Sequence, residues 1–217
     1  ELRPDLVLAF SDIQADSAAA LVRAGLAVHV FNQRTVAGIL DMIVLLGRMV
    51  GAADRAATLV DSYRARLDRA RAEAAHLPRR PRVYFEEWDE PMISGIGWVS
   101  ELIGIAGGDD CFAELAARPA ARDRIIADPT EVIRRAPDIV IASWCGKRFR
   151  PEKLAARAGW HAIPAVASGE LHEIKSPIIL QPGPAALTDG LDAIHGIVRT
   201  WSLGIDAGAQ RAAVTSP

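Results

Sequence analysis

The sequence predicts an α/β protein of two lobes joined by a long helix, with the first lobe incomplete. Three observations carry that prediction. Pro4-Asp5-Leu6-Val7-Leu8-Ala9 recurs as Pro137-Asp138-Ile139-Val140-Ile141-Ala142, and Arg23-Ala24-Gly25-Leu26 is matched further on by Arg157-Ala158-Gly159-Trp160. Between the copies, residues 53–75 form a proline-free helical pattern. Residues 79–203 then read as a full set of strands and helices, whereas residues 1–35 offer two strands and one helix, too little sheet for an independently stable lobe.

Each element follows from local pattern. In both copies of the echo a short apolar, β-branched run reads as a buried strand, a polar loop follows, and an alanine-rich helix ends at glycine before a second apolar stretch. That is a β-α-β unit, so the lobes are Rossmann-like. Ligands of such units gather beyond the carboxyl ends of the strands, which directs attention to the loops after Ala9 and Ala142. Residues 35–50 place Val36, Ile39, Leu40, Ile43, Leu46 and Val50 at helical period, and Gly51 interrupts them. The 53–75 helix carries Leu59, Tyr63 and Leu67 on one face and would span roughly 33 Å at about 1.5 Å per residue. Pro78 and Pro81 end it. Strands are then expected at 83–86, 139–142, 162–166 and 171–174, and helices at 98–106, 129–135, 151–157 and 184–201. The resulting division is a partial N-terminal α/β lobe at 1–35, connecting helices with the inter-lobe rod at 36–78, a C-terminal α/β lobe at 79–203 and a frayed tail at 204–217.

Composition excludes several functions. The 217 residues are 50% hydrophobic, 24% charged and 6% aromatic, as in an ordinary globular chain. Lys+Arg total 25 against Asp+Glu 27, so the formal net charge of -2 provides no general attraction to nucleic acid or to an anionic membrane. The apolar run at 39–50 is broken by Asp41, Gly47 and Arg48, far short of the roughly 20 residues that insert into a bilayer. The first residues have neither a basic start nor an apolar signal core, as in a mature form, a fragment or a cytoplasmic protein. Two cysteines, Cys111 and Cys145, give no zinc or disulfide framework.

Three loops at expected strand ends hold unusual residues: Glu86-Glu87-Trp88-Asp89-Glu90-Pro91-Met92, Ser143-Trp144-Cys145-Gly146-Lys147 and Glu173-Ile174-Lys175-Ser176-Pro177. A tryptophan in a loop suits a large flat apolar ligand. The acidic cluster lacks calcium-loop spacing, and the five histidines form no ligand pair, so no metal site is expected. Gly95-Ile96-Gly97-Trp98-Val99-Ser100 is a weak nucleotide signal, and no nucleophile elbow or phosphate loop occurs. Nothing in the pattern demands a catalytic cofactor.

The order and spacing of Leu2 to Ala9, the Leu46-Gly47 to Gly51 turn, Arg82-Val83-Tyr84, Trp98-Val99-Ser100-Glu101-Leu102-Ile103, Ala106-Gly107-Gly108 and Pro137-Asp138-Ile139-Val140 resemble the helical-backbone (class III) substrate-binding proteins of ABC importers. The chain looks most like their cobalamin-binding members. The resemblance implies non-catalytic binding of cobalamin or a related corrinoid between the lobes, delivery to an ABC permease, and a periplasmic or extracytoplasmic location. It implies ligand contacts at Phe10, Ser11 and Asp12 on the first lobe and at Glu87, Trp88, Met92, Trp144 and Lys175 on the second. Permease docking would fall to Asp16 and, displaced from the family position by Thr130, to Glu131. Haem or a ferric siderophore is the alternative ligand. A corrinoid-processing enzyme using Cys145, Glu86 and Glu87 is the alternative class.

Overall fold

In the computed structural model, residues 2–205 are described, and the chain opens with β1 (Val7–Phe10), α1 (Ala15–Arg23) and β2 (Val28–Phe31). The strands pair in parallel from Val7 with Val28 to Phe10 with Phe31, which makes the first copy of the echo the expected β-α-β crossover. Both echoed glycines are conformationally required: Gly25 has φ 81° and Gly159 has φ 78°, in the left-handed region that a Cβ disfavours.

α2 (Val36–Met49) starts where Thr35 Oγ1 accepts the Gly38 N–H at 3.0 Å, and it buries Val36, Ile39, Leu40 and Ile43. Val50, expected on that face, falls in the turn beyond the helix and is exposed. The rod is α3 (Ala53–Ala74), which buries Ala56, Val60, Leu67, Ala70 and Ala74, with Tyr63 packed beside them. Leu67 and Tyr63 of the expected row face the core, whereas Leu59 is exposed and its neighbour Val60 is buried in its place.

The second lobe follows as β3 (Arg82–Asp89), β4 (Met92–Ser94), α4 (Gly97–Ile105), β5 (Asp109–Asp110), α5 (Ala113–Ala116) and α6 (Thr130–Arg135). It continues through β6 (Ile139–Ala142), α7 (Pro151–Ala155), α8 (Pro164–Ser168), β7 (Leu171–Glu173), α9 (Ser176–Ile179) and α10 (Leu191–Ser202). The sheet order is β4-β3-β6-β7, with β5 added to β3; β3, β6 and β7 run parallel and β4 antiparallel. Side chains alternate across it. Val83, Phe85, Ile139 and Ile141 join the core shared with α2, α3, α4 and α10, while Tyr84, Val140 and Ala142 face Phe112, Trp144 and Trp160. Burial on both faces is the condition under which parallel strands are stable.

Three expectations are corrected. The segment 86–92 is not a rim loop, because β3 continues to Asp89 and returns as β4. Residues 162–166 are not a strand: a 3-10 turn (Trp160–Ala162) leads into α8, where Pro164 lacks the N–H that a ladder needs and its fixed φ suits a first helical turn. The sheet partner in the second copy is β7 instead. The helix expected over 184–201 opens with a π-helical turn at Ala186–Gly190 before α10. From residue 206 the expected tail lies outside the described residues. Among the described residues no helix is long and apolar enough to cross a membrane.

The lobes are held close at Gly97. A Cβ built there would stand 2.3 Å from the carbonyl oxygen of Arg34, which is backbone and cannot swing away. Gly97→Ala is therefore expected to cost about 1–3 kcal/mol in a denaturant melt, the range for overpacking, and to displace Arg34. Unchanged stability would show that the contact relaxes freely.

Candidate functional site

Between the lobes lies a pocket of about 290 Å³. Its first wall is Phe10 at the end of β1 with Ser11 and Asp12 of the loop that follows, joined by Arg34 from the segment after β2. That loop is fixed locally. Ser11 takes φ 66° while its Oγ accepts the Ile13 N–H at 3.3 Å, and Gln14 Oε1 accepts the Phe10 N–H at 2.7 Å. The guanidinium of Arg34 lies over the Phe10 ring, 4.8 Å from its centroid, with Asp12 Oδ1 3.8 Å from Nη2. Arg34 is anchored across the cleft, since its Nε donates to the Pro119 carbonyl at 3.3 Å.

The opposite wall holds Glu87, Trp98, Arg122 and Arg124. Glu87 owes its place to a β-bulge: the β3–β4 register pairs Glu86 with Ser94 and then Trp88 with Ile93, leaving Glu87 unpaired in the ladder. It accepts a bidentate pair from Arg124, at 2.6 Å from Nη1 and 3.2 Å from Nη2. Arg124 is buried, also donates to the Ser94 carbonyl, and has no partner at Nε. Trp98 is buried with its Nε1 donating to the Ile179 carbonyl at 2.8 Å. Burial lowers the pKa of Arg34; Asp12 opposes that shift, and the charge of Arg124 adds to it.

The residues named from the sequence separate into groups. Phe10, Ser11, Asp12 and Glu87 meet in this pocket. Trp144 and Lys175 instead border a different depression of about 310 Å³, between the 143–147 and 173–176 loops. Trp144 is only 3% exposed, donates from Nε1 to Glu86 Oε1 at 2.9 Å and packs edge-on against Phe149, so it belongs to the core of the lobe. Lys175 pairs with Glu173 at 2.7 Å. Met92 is buried, its sulfur 3.4 Å from Arg157 Nη1. Trp88 lines neither pocket. Its Nε1 donates to the Glu90 carbonyl at 2.8 Å, and Lys147 Nζ stands 3.8 Å over its ring. Lys147 and Lys153 bind the two oxygens of Asp89 at 2.5 and 2.7 Å. Burial pushes the Asp89 carboxyl up, but the hydrogen bonds from these lysines outweigh it and leave the pKa lowered.

Asp16 is exposed in the first turn of α1. Glu131 is held by Arg134 and by Arg135, the latter at 3.2 Å. Cys145 is exposed, and burial pushes the Cys111 thiol up to about 12, which keeps it protonated. Among the described residues no group of three or more His, Cys, Asp or Glu side chains could hold one metal ion.

Trp144→Phe is expected to lower stability by about 1.5–3 kcal/mol, through the hydrogen bond lost to a charged acceptor. Ligand affinity should stay within threefold by titration. A specific loss of affinity at unchanged stability would return Trp144 to the site.

Sequence reasoning missed Arg34, Arg122 and Arg124. Arg34 was within reach of the rule already used, because it lies beyond the end of β2 as Ser11 and Asp12 lie beyond the end of β1. The 119–124 segment carried no such signal; it reaches the pocket through a 3-10 turn (Ala121–Arg124) and the bridge from Ile125 to Ile93.

The sequence pattern of the family described as periplasmic binding protein matches residues 1–178. No curated protein matches the chain. Among solved structures, a possible iron-binding (periplasmic solute-binding) protein from Staphylococcus epidermidis is 18% identical at a TM-score of 0.74, over 90% of this chain and 76% of its own. S. aureus IsdE complexed with heme is 16% identical at a TM-score of 0.72, over 90% and 77%. The periplasmic vitamin B12 binding protein BtuF of Vibrio cholerae is 19% identical at a TM-score of 0.65, over 92% and 75%. At these identities the likeness is one of fold.

Proposed function

The chain belongs to the periplasmic binding protein family, and from that premise we propose that it captures a metal chelate between its lobes and delivers it unconverted to an ABC permease. The chelate class spans a corrinoid such as cobalamin, a haem and a ferric siderophore, in keeping with the heme, vitamin B12 and Fe3+-hydroxamate named for structures of similar fold. One observation supports this reading above others: the 290 Å³ pocket takes its walls from both lobes, an aromatic ring, a guanidinium and a carboxylate on one side facing an indole and charged groups on the other. Phe10, Ser11, Asp12 and Glu87 keep the ligand role that the resemblance implied. Trp144 and Met92 leave it for the core.

Conversion is disfavoured on chemical grounds. An enzyme would need Glu86, Glu87 and Cys145 at one reacting centre, yet Glu86 is fully buried among donors while Glu87 emerges toward the cleft and is held by Arg124. Asp16 is free to meet a permease at the top of the first lobe; Glu131 is engaged by arginines of its own helix.

Absorbance titration with cyanocobalamin, haemin and a ferric hydroxamate tests the function. The expected result is stoichiometric binding of one of them with no change of the recovered ligand; binding of none overturns the reading. Because α3 is a continuous helix, the lobes should close little, and solution scattering with the bound ligand should show nearly the same radius of gyration.

A further inference from the structure

We infer that the cleft carries a subsite for a peripheral carboxylate of its ligand, formed by Arg34 and Arg122, with Arg124 fixed behind them. The inference rests on the cleft being the ligand site. The sequence carries 22 arginines and is still slightly acidic, with a formal net charge of -2; three of those arginines gather in this one small pocket. The pocket lining has three arginines against two carboxylates. Glu87 is already committed to Arg124 through both oxygens. That leaves Asp12, whose side chain is 68% exposed and stands 3.8 Å from Arg34, as the remaining anion.

The two outer arginines are placed to grip a ligand. Arg34 is mostly buried, and its Nε and Nη1 are used by the Pro119 and Gln33 carbonyls, which holds the guanidinium plane still. Among the described residues its Nη2 edge has only the long contact with Asp12, at 3.8 Å. Arg122 is 79% exposed, and its Nε lies 3.9 Å from Asp123, a separation that leaves its donors to solvent or to a ligand. Arg124 contributes charge without contact: it is pinned by Glu87 and Ser94, and its proximity is one cause of the lowered pKa of Arg34. An incoming carboxylate offsets that repulsion, and the fork of a guanidinium matches its two oxygens. A ligand whose fringe is made of neutral amides offsets nothing. The subsite therefore selects chelates with free carboxylates, such as a porphyrin dicarboxylate or a citrate-type ferric complex.

The test compares haemin with its dimethyl ester, which share a macrocycle and differ only in carboxylates, and adds ferric citrate and cyanocobalamin. Haemin or ferric citrate should bind the intact chain, the ester roughly tenfold or more weakly than haemin. Arg122→Ala, exposed and without effect on the melting curve, should weaken the acid ligands several-fold; where haemin is the ligand it should leave the ester unchanged. Arg34→Ala should do the same more strongly, with its melting curve recorded beside it. Equal binding of acid and ester, or binding of cyanocobalamin alone, overturns the subsite and leaves the cleft reading standing. If ferric citrate is the only ligand, indifference to Arg122→Ala overturns it. Binding of none of these probes overturns the subsite, and overturns the cleft reading with it when the ferric hydroxamate fails to bind as well.

Discussion

Glu86→Ala is expected to lower the stability of the chain by about 3–5 kcal/mol, the range for removing one partner of a buried charge pair. The carboxylate is fully buried and is surrounded by donors that do not reach water easily. Tyr84 Oη gives it a hydrogen bond at 2.8 Å, Trp144 Nε1 one at 2.9 Å, and Arg157 two, at 2.5 and 3.0 Å. Burial, with the charge and hydrogen bond of Glu86, holds the Tyr84 hydroxyl well above its ordinary pKa, so that it stays a donor. Alanine would strand the Arg157 guanidinium and orphan the phenol and the indole together. Glu86→Gln keeps one acceptor oxygen but removes the charge opposite Arg157, and should fall between alanine and the native chain. Denaturant melts at neutral pH decide it. A loss under about 1 kcal/mol for alanine would mean that the pair is dispensable.

The same carboxylate shows what sequence could and could not supply. Read in order, Glu86, Glu87, Asp89 and Glu90 are one acidic cluster. In the fold the cluster divides, because alternation along β3 and the bulge at Glu87 send Glu86 into the core and Glu87 toward the cleft, while Asp89 and Glu90 both meet Lys153. The partners are remote: Trp144 is 58 positions away from Glu86 and Arg157 is 71. Local pattern contains no trace of such pairs. It does contain the echo, and there the reading was sound: Gly25 and Gly159 share a left-handed conformation, and β1 and β6 are both strands followed by helix. It misleads at 162–166, where an apolar run has the composition of a strand and Pro164 opens a helix instead. Trp144, expected on the rim, is buried for a related reason. A tryptophan just past a strand end is ambiguous between wall and core until the opposite surface is known, and here that surface is Glu86 and Phe149. That the segment after Ala9 borders the inter-lobe pocket was legible because the strand-end rule depends on topology alone. Its partners Arg122 and Arg124 depend on where an irregular segment returns, which topology does not fix.

Amides of β1 and β2 are expected to exchange with solvent through openings at least about 3 kcal/mol easier than those of β3 and β6, a difference of more than a hundredfold in protection. The two sheets differ in what covers them. All four residues of β6 are fully buried, whereas β1 and β2 contain no buried residue, and Leu8 and Val30 are 46% and 41% exposed. A two-stranded ladder also has few bonds to lose: it spans four register pairs, against a central β3 bonded on both sides. The segment that leaves β2 is held more firmly than the strand itself, by Gln33 Nε2 on the Pro182 carbonyl at 2.9 Å and by the Val36 N–H on Glu101 Oε2 at 2.9 Å. The weak part of the first lobe is therefore the sheet that carries Phe10, Ser11 and Asp12 into the cleft. A ligand that bridges these residues to Arg34 and the opposite wall must stabilise the closed ladder by its own binding free energy, so saturation should slow exchange across β1 and β2 while leaving β6 as it was. Exchange followed by mass spectrometry, with and without ligand, reads both effects. Equal protection in the two sheets would show that the first lobe draws its stability from contacts other than those of its ladder; a ligand that protected only the second lobe would place binding away from the loop after β1.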